Sequence, residues 1–102
     1  EWPDETIDCL AEHTINLHIK DYQFKLDPYG VGFCIEGAPM GGGLTNIQSL
    51  LSKFIDTEIS AIYEHWLPWP GNFEDAKKNE DKWTAESIVY LKSLTSELIQ
   101  NQ

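Results

Sequence analysis

Asp27-Pro28-Tyr29-Gly30 places Asp, Pro and Gly at the first, second and fourth positions of a type I turn. Tyr22-Gln23-Phe24-Lys25-Leu26 precedes it and Val31-Gly32-Phe33-Cys34-Ile35 follows it, each alternating with the two-residue period of a strand. A turn flanked in this way reads as a β-hairpin. The competing reading makes Asp27 a helix N-cap and Pro28 the first helical residue. Gly30 and Gly32 would each weaken such a helix by about 1 kcal/mol. The hairpin is therefore favoured; a helix through 28–36 would instead make the chain all-α.

Around the hairpin the pattern predicts an α+β domain. Pro3 and the acids Asp4 and Glu5 suit the first turn of an N-terminal helix, whose Ile7, Leu10, Ala11 and Thr14 share a face. Ile15-Asn16-Leu17-His18-Ile19 alternates, with Lys20-Asp21 as a two-residue turn, so a meander is expected over about 14–19, 22–26 and 31–36. The Gly41-Gly42-Gly43 run lacks the lysine and Ser/Thr of a phosphate loop and reads as a permissive connector. Ile47, Leu50, Leu51, Phe54, Ile55, Ile59, Ile62 and Trp66 recur at helical spacing, which predicts a long helix over about 46–66, capped by Thr45 or Asn46 and stopped by Pro68 and Pro70. Asn72 is a cap for a short polar helix through Asp81, and Thr84 for a last helix over about 84–100. The 102 residues suffice for one core, and the expected organisation is one domain over 1–102.

Charge bounds the function. Seventeen acidic residues face seven basic ones, for a net −10, and every basic residue is lysine. Phosphate recognition needs a basic face and prefers guanidinium, so nucleic acid and anionic membrane are disfavoured as partners. No apolar run reaches the roughly 20 residues of a membrane span. Residues 1–12 hold Glu1, Asp4, Glu5, Asp8 and Glu12 without a lysine, half of the net charge. Cys9 and Cys34 allow one disulfide or two free thiols. Free thiols imply a cytoplasmic chain; a bridge would imply a periplasmic or secreted one. Cys34 stands between two large apolar residues, a setting for an inert thiol.

No GxSxG, HExxH, CxxC or P-loop is present, and His13, His18 and His65 are dispersed. These absences lead to the expectation of a non-enzyme with no cofactor and no metal site. The expected role is an acidic inhibitor that binds a basic protein partner, in the manner of a toxin-immunity protein or antitoxin. The alternative is a small accessory or ligand-binding domain with a pocket between sheet and long helix. The partner-binding candidates are Asp4, Glu5, Asp8 and Glu12, then Trp69 in its proline turn, then Glu74, Asp75, Glu80 and Asp81. On the long helix Glu58 and His65 would fall on the apolar stripe, which makes them buried polar candidates that need partners.

Overall fold

The computed structural model of the chain describes residues 2–101. Pro3 occupies the start of α1 (Pro3–Leu10), where its missing N–H costs nothing, and Asp4 and Glu5 sit in the first turn at the positive end of the helix dipole. A short 3₁₀ turn, Ala11–His13, leads into β1 (Asn16–Ile19). Strands β2 (Asp21–Leu26) and β3 (Phe33–Ala38) form the expected hairpin, antiparallel with Leu26 opposite Phe33 and Asp21 opposite Ala38. The turn is held by Asp27, whose carbonyl accepts from the Gly30 N–H and whose carboxylate accepts from the Tyr29 N–H. Gly30 has φ +74° and Gly32 φ +76°, a backbone region where glycine is favoured. The fold is thus α+β, as the pattern of elements implies.

The three strands do not form a meander. β1 instead pairs in parallel with β4 (Ser60–Tyr63), Leu17 opposite Ala61 and Ile19 opposite Tyr63, so the structure holds two separate two-stranded sheets. β4 lies inside the segment predicted as a long helix. Only α2 (Ile47–Ser52) forms there, capped by Asn46, whose side chain accepts from the Ser49 N–H. The helix ends because Phe54 and Thr57 bond back to carbonyls three residues earlier and the Thr57 hydroxyl takes the Phe54 carbonyl, at 2.6 Å. A side chain that competes for the backbone in this way disfavours helix. The β-branched residue Ile62 then finds a strand partner in β1, opposite His18. Helical spacing of apolar residues was present, but a tertiary partner decided the conformation.

The C-terminal correction runs the other way. A single helix, α3 (Phe73–Gln100), replaces two; Asn72 caps it by accepting from the Asp75 N–H at 2.9 Å, and Thr84 lies in its interior. No glycine or proline interrupts 73–100, and an interior threonine costs only a fraction of a kcal/mol. The core gathers Ile19, Met40, Ile47 and Leu94, with Leu17, Leu51, Tyr63, Tyr90, Leu91 and Leu98 packed against it. α2 and α3 therefore cover one face of the β1–β4 pair, and the other face carries Asn16, His18, Ser60 and the exposed Ile62. Among the described residues no helix is long and apolar enough to cross a membrane, and Cys9 and Cys34 are unbridged and exposed.

Candidate functional site

Alternation along β1 puts Leu17 and Ile19 toward the core, which leaves His18 and Lys20 facing outward. Beyond β4 the same period turns Glu64 and Trp66 to that outward face, and the Glu64 N–H extends the ladder by donating to the Ile19 carbonyl at 2.9 Å. Four side chains thus converge at the carboxyl ends of two parallel strands, where parallel β-structure generally binds its ligands.

Glu64 is the hub. Its Oε1 accepts from the Trp66 indole Nε1 at 3.0 Å and lies 3.4 Å from Lys20 Nζ; its Oε2 lies 3.4 Å from His18 Nδ1. The Lys20 ammonium also stands 4.4 Å from the Trp66 ring centroid, a cation–π distance. The indole N–H, the imidazole and the ammonium together hold the Glu64 carboxyl below the usual carboxylate range, the indole contributing most. The carboxylate thus gathers an indole, an ammonium and an imidazole on the outward face. His18 and Glu64 are metal-ligand types, yet no group of three or more His, Cys, Asp or Glu gathers among the described residues, and structural or catalytic zinc takes at least three protein donors. These residues by themselves do not make a metal centre.

A buried carboxylate supports the site from below. Asp21, at the start of β2, is 2% exposed, and accepts the backbone N–H groups of Tyr22, Gly41, Gly43 and Thr45 at 2.9–3.0 Å. The glycine run therefore does cradle an anion, but the anion is the protein's own. Gly43 is required there, because a Cβ would lie 2.3 Å from Asp21 Oδ1. Behind β4, Tyr63 Oη takes a hydrogen bond from Ser87 Oγ at 2.9 Å, Ser87 Oγ accepts from the Met40 N–H at 3.0 Å, and His65 Nδ1 lies 2.8 Å from Tyr63 Oη. Burial pushes the Tyr63 hydroxyl above its ordinary pKa, so it stays a neutral link between β4 and α3.

The residues singled out from sequence fall elsewhere. Glu58 is exposed in the loop before β4, a correction that follows from the missing helix: with no stripe there is no apolar face to bury it. His65 has a side chain only 12% exposed, packed edge-on to Tyr63 and Trp83 and 4.0 Å from Glu80. Asp4 accepts from Ser49 Oγ, and Asp8 pairs with Lys53, raising the lysine above its ordinary pKa, so these two acids tie α1 to α2. Glu5 and Glu12 are not brought to the Glu64 cluster; Glu12 lies 3.3 Å from His13. Glu1 lies outside the described residues. Trp69 is exposed and meets Phe73 edge-on at 5.1 Å. Glu74, Asp75, Glu80 and Asp81 are exposed along the first turns of α3. Lys20, Glu64 and Trp66 were missed as a group because the helical reading of 46–66 hid their common strand face.

No family model matches the chain, and no solved structure matches it. One curated protein does, the 3-oxo-isoapionate decarboxylase of Pectobacterium atrosepticum. Identity is 40% over 93 residues, covering 89% of this chain and 34% of that protein. The chain thus spans about a third of the length of the curated relative it matches. This finding corrects the expectation of a non-enzyme: short catalytic motifs are absent, yet a relative similar along most of the chain carries an enzyme's name.

Proposed function

We propose that the chain is part of a decarboxylase for a 3-oxo sugar acid, and that the Glu64 cluster supplies part of the active site. The observation that carries this is an ammonium and an imidazole, Lys20 and His18, held by one carboxylate at the ends of two parallel strands. The similarity to 3-oxo-isoapionate decarboxylase supplies the reaction class.

The chemistry asks for little more than a placed cation and a proton carrier. In a 3-oxo acid the bond between the carboxylate carbon and C2 breaks, and carbon dioxide leaves. The electron pair passes to C2 and onto the 3-oxo oxygen as an enolate. A proton added to C2 then restores the ketone. Lys20 is placed to stabilise the developing enolate oxygen, an interaction that is stronger in the transition state than in the ground state. His18 is the group that carries the proton. Glu64 keeps both in place and remains ionised.

The test measures carbon dioxide released from 3-oxo-isoapionate, with Lys20→Met beside the unaltered protein. Removing the cation should lower kcat by about 100-fold or more, with far-UV circular dichroism unchanged. No release above the buffer rate, or a fully active Lys20→Met variant, refutes the reading. The acidic surplus separately motivates a basic protein partner; binding that weakens when Glu74, Asp75, Glu80 and Asp81 are neutralised would support one.

A further inference from the structure

Most of one face of the hairpin has nothing packed over it. Pairing sets Tyr22, Phe24 and Leu26 of β2 on the same face as Phe33, Ile35 and Gly37 of β3, while Asp21, Gln23, Lys25, Cys34 and Glu36 lie on the other. The chain at Trp66 covers only the Gly37 end, where a Cβ on Gly37 would sit 2.0 Å from the Trp66 carbonyl oxygen. Beyond that end Tyr22, Phe24, Leu26, Phe33 and Ile35 are 38–77% exposed, and Tyr29 and Val31 at the tip are 90% and 80% exposed.

The area is too large for an ordinary monomer surface. At about 200 Å² for a side chain of this size, the face and its tip present on the order of 900 Å². The largest apolar patch on a typical monomer is about 300–600 Å². One side of a standard protein interface is about 800 Å². The whole chain shows the same surplus: a monomer of 11.7 kDa exposes about 5,900 Å², and this one exposes 7594 Å².

The chemistry of the face selects its occupant. The chain carries −10, yet none of that charge lies on this face, so it offers no acid to a basic partner. Apolar faces of this kind are typical of interfaces between permanent subunits, and one face can complement itself about a twofold axis. Lys20 stands at one end of the hairpin and Asp27 at the other. An axis in the plane of the interface, crossing the strands at the opposed residues Phe24 and Ile35, lays the Lys20 end of one hairpin over the Asp27 end of its copy. It also seats Phe24 on Phe24 and Ile35 on Ile35, in two sheets about 10 Å apart. We propose that the apolar hairpin face is a dimer interface whose occupant is the same face of a second copy of this chain. The dimer does not depend on the decarboxylase reading.

Sedimentation from about 1 µM to about 100 µM tests it. The unaltered chain should move from monomer toward twice 11.7 kDa. Raising the salt should increase the dimer, because screening weakens the repulsion between two chains of −10. The unfolding midpoint should rise over the same concentration range. Ile35→Lys and Ile35→Glu each set like charges against each other across the axis, and each should stay monomeric with far-UV circular dichroism unchanged. Mixed in equal amounts they should dimerise again, a recovery that misfolded chains would not give. Phe24→Lys with Phe24→Glu repeats the test if the Ile35 variants do not fold. Val89→Lys, at an exposed apolar residue of α3, should dimerise as the unaltered chain does. A monomer at every concentration, a dimer that survives both Ile35 substitutions, or folded variants that stay monomeric when mixed overturns the proposal. A monomer that binds phosphatidylcholine vesicles through Phe24 and Ile35 also overturns it and gives the face to lipid.

Discussion

Strands β2 and β3 run six residues each and pair over their whole length, yet Tyr22, Phe24, Leu26, Phe33 and Ile35 on one face of the hairpin all remain exposed. Strands β1 and β4 run four residues each, and place Leu17, Ile19 and Tyr63 against a core shared with α2 and α3. The longer pair is sustained by its own turn and ladder. The shorter pair exists because something packs behind it. Chemistry gathers on the second: rigid backing on one face is what lets His18, Lys20 and Glu64 hold fixed relations on the other. Asp21 begins the hairpin two residues after β1 ends, and its carboxylate fastens the glycine run.

This contrast predicts unequal responses to mutation. Leu94→Ala removes a fully packed side chain from behind the β1–β4 pair and should cost about 3–4 kcal/mol in urea denaturation. A cost below about 1 kcal/mol would mean that the pair does not depend on its core. Asp21→Ala leaves four backbone donors without their acceptor, and a loss of about 2 kcal/mol is expected, with amide exchange accelerated at Gly41, Gly43 and Thr45. Unchanged exchange at those amides would show that the clamp is dispensable.

In the hairpin the effect should be smaller. Phe24 meets Phe33 edge-on at 4.8 Å but is half exposed. Phe24→Ala is expected to cost about 1 kcal/mol, the scale of one aromatic pair with partial burial. A cost as large as that of Leu94→Ala would erase the distinction between the two regions.

The smallest effect concerns charge. The folded pKa of Glu64 lies below its ordinary value of 4.5. A depressed carboxyl pKa contributes stability that is present above the ordinary value and is lost as pH falls through the folded one. Trp66→Phe keeps a ring beneath Lys20 but deletes the indole donor, the largest cause of the depression. The Glu64 midpoint, followed by carboxyl carbon NMR, should therefore move up toward 4.5. A midpoint unmoved by the substitution would show that the indole does not organise the cluster.

The hairpin, α1 and the α+β class were legible because their determinants are local. Asp27, Pro28 and Gly30 specify a turn within four residues, and Pro3 with two acids marks a helix start. Asn46 and Asn72 were likewise readable as caps, since a cap acts within three residues of itself. Residues 53–63 were not readable in this way. Their apolar spacing suits a helix, and only the presence of β1, more than forty residues away in the chain, makes Ile62 and Tyr63 strand residues, opposite His18 and Ile19. The same long-range pairing created the candidate site. Nothing in the spacing of His18, Lys20, Glu64 and Trp66 announces a cluster, because the distances that matter run across a parallel ladder rather than along the chain. Local backbone preference determined the elements that stand alone; burial against a distant partner decided the parallel pair, and with it where the charges meet.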